Sequence, residues 1–277
     1  MLKQRVLTAL ILIPALVAAL FYFPPGWIVV LFGLFIAAAA WEWTALSGIR
    51  GIFSRATYVF CLLILGVAAI YSVLLQPSPI ASFLAAAGLW WLWASAELIS
   101  RKDVSKGMFA TTAGRVVGGF LVLIPLWVAS VYLLAVDSEH PRALLLFLLV
   151  LVWVADTAAY FAGSVFGRTK LAPQVSPGKT VEGVVGGVMA VVLLAWVCGT
   201  MIWKLEPGLL VQWIGLAIVT ALFSVVGDLT ESKLKRIAGA KDSGSMFPGH
   251  GGVLDRIDAL TAAAPIFLLG VITLLKF

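Results

Sequence analysis

The chain has 277 residues, of which 62% are hydrophobic and 12% charged, and its net charge is +6. Soluble domains carry about 25% charged and 45–50% apolar residues, so this composition excludes a water-soluble globular protein and points to a chain embedded in lipid. Apolar runs of about 20 residues between short polar breaks specify bilayer-crossing helices, and the period-two alternation that a membrane barrel requires is absent.

In chain order, nine spans are predicted, at 6–23, 27–47, 57–75, 80–99, 116–136, 143–165, 184–203, 209–227 and 259–276. The fold class is therefore all-α, a polytopic integral membrane protein. The first span follows Lys3 and Arg5 and precedes Pro24-Pro25 and a second span, which favours a retained helix over a cleaved signal peptide. Lys3 and Arg5 place the N-terminus in the cytoplasm. The inside loops then carry 16 of the 19 Lys and Arg residues, leaving Arg142, Lys204 and Lys276 outside. Such an asymmetry encodes orientation, with an added attraction for anionic lipid, and removes any need for a nucleic-acid partner.

Residues 1–115 form a nearly pure hydrophobic region of about four spans and a cytoplasmic loop. Its acids, Glu42 and Glu97, read as interfacial carboxylates, a polar-pocket role being the other reading. Cys61 and Cys198 lie in apolar segments and read as buried structural thiols. Residues 116–277 differ in kind, with charges inside or against the spans and two cytoplasmic polar loops, 166–183 and 228–258. Chemistry is expected there. Asp156 sits within an apolar span, where a central Asp costs about 2.5–3.5 kcal/mol to insert, so it is paired or faces a polar cavity. Tyr160 shares its helix face. Gly163 and Gly167 form a small-xxx-small pair of the kind that packs helices closely. Arg168, Lys170, Ser176, Lys179 and Thr180 follow. Ser176 to Thr180 is like the tail of a phosphate loop, without the first glycine and the preceding strand of a true one. Taken alone it is a solvated basic loop.

The second constellation begins at Asp228 and runs through Ser232, Lys233, Lys235, Arg236 and Lys241 to a glycine-rich turn. Asp255, Arg256 and Asp258 then open the last span. Bases beside paired carboxylates are the parts needed to hold a polyphosphate and its divalent metal, although the acids also serve simply to neutralise the bases. Gly249, Gly251 and Gly252 permit positive φ and exposed N–H groups. His250 is either a structural histidine or a phosphate ligand and proton carrier.

The run from Ser232 through Lys235-Arg236, Lys241-Asp242, Gly244, Phe247-Pro248 and His250-Gly251-Gly252-Val253 to Asp255-Arg256-Ile257-Asp258 resembles the signature of phosphatidate cytidylyltransferases, the CDP-diacylglycerol synthases. Asp156, Tyr160, Ser176-Pro177, Lys179-Thr180 and Glu182-Gly183 are similar to that family's second polar region. The resemblance implies a nucleotidyltransferase of phospholipid biosynthesis that converts CTP and phosphatidate to CDP-diacylglycerol and pyrophosphate. The compact size without an added soluble domain points to a bacterial inner membrane protein, and the charge asymmetry puts both long polar loops, and so the site, on the cytoplasmic side. The resemblance also implies Mg²⁺, with a second cation as an option, held by Asp228 and Asp255. Asp258, Lys241 and His250 are expected to act with them. Lys233, Lys235, Arg236 and Lys241 are expected to neutralise the triphosphate and departing pyrophosphate, and Arg256 to bind substrate. Ser176, Lys179, Thr180, Ser232, Gly251, Gly252 and Asp156 are expected to bind substrate. A homodimer remains an open option. Two other readings stand beside this one, a CTP-dependent polyprenol or dolichol kinase or transferase and an ion-coupled transporter using Asp156. Against the transporter, residues 1–115 hold no counterpart of Asp156.

Overall fold

The computed structural model describes residues 14–76, 79–100, 106–134, 136, 139–140, 142–246 and 251–275. Among them are eight helices long and apolar enough to cross a membrane. We number them α1 (Pro25–Leu46), α2 (Ile52–Leu75), α3 (Ile80–Ser100), α4 (Thr112–Tyr132), α5 (Ala143–Phe166), α6 (Val181–Met201), α7 (Pro207–Ile237) and α8 (Leu254–Gly270), the last continuing as a π-helical turn over Val271–Leu275. The expected first span lies partly outside the described residues, and its described part, 14–22, is helical.

One element departs from an all-helical chain. Lys170–Ala172 and Ser176–Thr180 pair antiparallel as a small ribbon, β1 and β2. Its second strand runs directly into α6, whose N-cap is Thr180, with Oγ1 accepting from Gly183 N at 3.1 Å. The expected basic loop is thus a hairpin pinned to a helix start. Glu182 reinforces the join by accepting from the backbone N–H groups of Arg168 and Thr169 at 3.0 and 3.1 Å.

The two helices that flank the polar loop 228–258 have boundaries that hydrophobicity alone does not reveal. α7 continues ten residues beyond the expected end at 227. Pairs four residues apart hold this polar extension: Ser232 donates to Asp228 at 3.2 Å, and Lys235 is ion-paired with Glu231. Lys235 and Arg236 in the last turn also suit the negative end of the helix dipole. Gly239, at φ 68°, closes the helix by letting Ala240 N reach Lys235 O at 2.9 Å. α8 begins at Leu254, five residues before the expected start, so Asp255 and Asp258 belong to its first turns.

The core runs through both halves of the chain. Trp127 of α4 wedges between α1 and α2, where Gly33 and Gly66 leave room that a Cβ would fill. Trp213, Phe147 and Phe267 tie α7, α5 and α8 together, with Phe147 and Trp213 ring centroids 4.4 Å apart. Cys61 is exposed and Cys198 is half-buried, so neither is the buried thiol expected. Because successive spans alternate in direction, the ends of α1, α3, α5 and α7 and the starts of α2, α4, α6 and α8 share one face. The hairpin and the polar turn between α7 and α8 are on it.

Candidate active site

A cavity of about 390 Å³ lies among α5, α6, α7 and the hairpin. Its polar lining includes Asp156 and Tyr160 from α5, Ser176, Lys179 and Thr180 from β2, and Asp228 from α7, so five of the expected site residues meet in one place. Lys179 Nζ is 2.6 Å from Asp228 Oδ2, and each side chain is about a quarter exposed. The remaining wall is small and apolar. Gly163, Gly183 and Gly187 bring α6 close against α5, where a Cβ on Gly183 would stand 2.8 Å from Ala159 O and one on Gly187 2.8 Å from Ala155 O. The close packing expected of Gly163 is therefore present, its partner being the start of α6.

Beside this cavity the start of α8 and the end of α7 form a second polar layer. Asp255 Oδ1 receives Lys235 Nζ at 2.7 Å. Oδ2 accepts from Gly252 N at 2.7 Å, Ser243 N at 2.9 Å and Ser243 Oγ at 2.8 Å. Lys235 is shared with Glu231, so one ammonium bridges two nearly buried carboxylates. Gly251, at φ 79°, is where the turn needs a glycine, because a Cβ there would meet Asp255 Oδ2 at 2.6 Å. Asp258 bonds to the N–H of Ala259 at 2.8 Å, and Gly227 of α7 packs against its carbonyl.

The other expected residues separate into three groups. Arg236 is exposed and donates to Val175 O at 3.2 Å, tying α7 to the hairpin, while Lys241 and Arg256 are exposed on the same face. Lys233 is directed elsewhere: it is buried and bound to Glu97 of α3 at 2.6 Å, both side chains being under a tenth exposed. The structure therefore places Lys233 in the protein interior and not among the groups facing the cavity. Gly249 and His250 lie outside the described residues.

Two acids assigned to the interface prove to be interior. Glu42 is 6% exposed and Glu97 is 7% exposed. Glu42 accepts from Val253 N, Leu254 N and Ser243 Oγ, and Glu97 accepts from Met108 N at 3.3 Å as well as from Lys233. The available sign was the cost of leaving a carboxylate at the end of an apolar span without a partner. Glu231 was detectable by its spacing from Lys235, whereas nothing local marks Ser243.

Mg²⁺ takes one or two carboxylates and completes its shell with phosphate oxygens and water. Asp228 fits that requirement, since its carboxylate is partly exposed and lines the cavity. Asp255 already holds one cation, Lys235, and three further donors. Among the described residues no group of three or more His, Cys, Asp and Glu side chains is arranged to hold a metal ion.

Known proteins share this arrangement of sequence. A model described as the cytidylyltransferase family matches residues 3–274. The chain is 41% identical over 269 residues to a phosphatidate cytidylyltransferase of Pseudomonas aeruginosa, covering 96% of each chain. It is 38% identical over 289 residues to one of Haemophilus influenzae, covering 96% of this chain and 97% of the relative. A Thermotoga maritima phosphatidate cytidylyltransferase is 36% identical over 173 residues, 61% of this chain and 62% of the relative. With a match over nearly its whole length and two relatives aligned end to end, the chain belongs to the cytidylyltransferase family.

Proposed function

We propose that the protein transfers the cytidylyl group of CTP to phosphatidate, giving CDP-diacylglycerol and pyrophosphate, at the cytoplasmic face of a bacterial inner membrane. The observation that carries this reading is the cavity in which Asp156, Lys179 and Asp228 meet a small apolar wall between α5 and α6. A site of that kind suits one substrate that is a soluble polyanion and another that is a phosphate on a lipid. The relatives bearing the name phosphatidate cytidylyltransferase support the same assignment.

A phosphatidate oxygen attacks the α-phosphorus of CTP in line. A new P–O bond forms there, the α–β anhydride bond breaks, and pyrophosphate leaves with its electrons. The nucleophile is already an anion, so positioning and charge neutralisation supply the catalysis without a strong protein base. Lys179 faces the phosphates in the cavity, with Ser176 and Thr180 beside it. Arg236, Lys241 and Arg256 attract the nucleotide to the cytoplasmic face. Asp228, with Asp255 as a second carboxylate, would hold Mg²⁺, which would supply charge neutralisation on the phosphates. Asp258, in the first turns of α8, supports the site from the same helix face as Asp255 or is a further ligand.

The test uses detergent-purified protein with phosphatidate, Mg²⁺ and CTP labelled in its cytosine ring. The label is expected to enter the lipid fraction as pyrophosphate is released. If ring label stays in water while label from the terminal phosphate of CTP passes to a polyprenol or dolichol, the protein is a lipid kinase and the proposal fails.

A further inference from the structure

We infer that Glu42, on α1 and more than two hundred residues from the polar turn in sequence, is a positioning residue that sets the place of Asp255. The inference rests on the reading of Asp255 as part of the reacting site. Glu42 Oε1 accepts from Val253 N at 3.0 Å, and Oε2 accepts from Leu254 N at 2.8 Å and Ser243 Oγ at 3.0 Å. These are the N–H groups at the first turn of α8, which have no partner inside their own helix. The residue at the N-cap, Val253, makes no side-chain cap. A buried carboxylate is tolerated only when its oxygens are satisfied, and here a helix start and one hydroxyl satisfy it.

A cap alone would not need a carboxylate from a distant helix, because a Ser, Thr, Asn or Asp at position 253 would serve. What Glu42 adds is its grip on Ser243. The Ser243 hydroxyl lies between Glu42 Oε2 and Asp255 Oδ2, at 3.0 and 2.8 Å, and the Ser243 N–H also donates to Asp255 at 2.9 Å. A hydroxyl has one proton to give, so the two carboxylates share a single donor and their positions are tied. Gly244 and Gly252 enclose Glu42 so closely that a Cβ on either would run into its carboxylate. The turn is therefore built around Glu42, and Asp255 is held by the residues of that turn. Displacement of a reacting group by about 1 Å costs on the order of 10²-fold in rate.

The experiment compares the full-length wild type with Glu42→Gln, Ser243→Ala and the double variant in detergent. Gln keeps the size of Glu42 but sets an amide N–H₂ against the donors of the turn. The expected result is a fall in kcat of about ten-fold or more for Glu42→Gln, with KM for CTP and for phosphatidate within about three-fold of wild type, as lost positioning predicts. The double variant is expected to lose no more than the worse single variant, because both act through Asp255. A kcat per folded molecule within two-fold of wild type, or losses that multiply in the double variant, overturns the inference. Hydrogen exchange at the amides of Ser243 and Gly252 is measured alongside. They donate to Asp255, not to Glu42, so faster exchange there in Glu42→Gln reports displacement even if the wild type makes no CDP-diacylglycerol, and unchanged exchange refutes the link. If Glu42→Gln does not fold, Ser243→Ala decides, with reduced kcat and faster exchange at Gly252 expected and wild-type values for both overturning the inference.

Discussion

Lys179 and Lys233 make ion pairs of the same length, 2.6 Å to Asp228 and 2.6 Å to Glu97, in different surroundings. The first pair is about a quarter exposed, and such pairs contribute only about 0–1 kcal/mol to stability. Its value lies in the charge that Lys179 presents to the cavity. Lys179→Ala is expected to lower turnover by about 10²–10³-fold, the effect of losing one preorganised electrostatic group, with little change in melting temperature. The second pair is almost fully buried, and removing one partner strands a charge at a cost of about 3–5 kcal/mol. Glu97→Gln is therefore expected to melt well below the wild type while turnover per folded molecule stays near normal. Thermal melting and steady-state turnover on the same preparations check both variants. A Glu97→Gln protein of normal stability and low turnover would mean that Lys233 serves substrate after all.

The sequence shows where apolar spans lie and hides where helices end. The core stretches of α1 to α8 all coincide with expected spans, because the bilayer demands about 20 apolar residues and the sequence supplies them. The ends of α7 and α8 do not, because their polar turns are held by Glu231–Lys235 and by Glu42, contacts between residues that hydropathy scores as unfavourable. The hairpin is hidden for a similar reason, since two very short strands closed by Glu182 carry no periodic signal. The cavity residues Asp156, Ser176, Lys179, Thr180 and Asp228 were legible as individual polar groups in unusual places. The interior roles of Glu42 and Glu97 were not, as their partners come from remote segments. The seam between α5 and α6 was readable in part, from Gly163. It yields a prediction: Gly187→Val puts side-chain atoms where Ala155 O and Ala159 Cβ already stand. Overpacking of this kind costs about 1–3 kcal/mol. The variant is expected to fold with a lower melting temperature and to lose turnover by moving α6 at the cavity wall. Wild-type turnover at unchanged stability would show that the seam yields without disturbing the cavity.

The alternation of α1 to α8 turns a list of charges into two faces. Among the described residues, Arg50, Arg55, Lys106, Arg115, Arg168, Lys170, Lys179, Lys235, Arg236, Lys241 and Arg256 belong to the face of the candidate site, with Lys233 buried beneath it, and only Arg142 and Lys204 belong to the other. An excess of Lys and Arg in short loops marks the cytoplasmic side, and that side is also where a nucleoside triphosphate is found. The orientation is tested with two exposed positions at opposite ends of the spans, Gln174 in the hairpin and Glu206 before α7. Each is replaced by cysteine in a background where Cys61 and Cys198 are alanine, since these are the two native cysteines. In spheroplasts a membrane-impermeant maleimide is expected to label Glu206→Cys and spare Gln174→Cys, and in inverted vesicles the pattern is expected to reverse. The opposite pattern would put the hairpin outside, away from the nucleotide pool, and the proposed reaction would lose its soluble substrate. Labelling of both positions from one side would contradict the alternation itself, and with it the gathering of α1, α3, α5 and α7 ends around a single site.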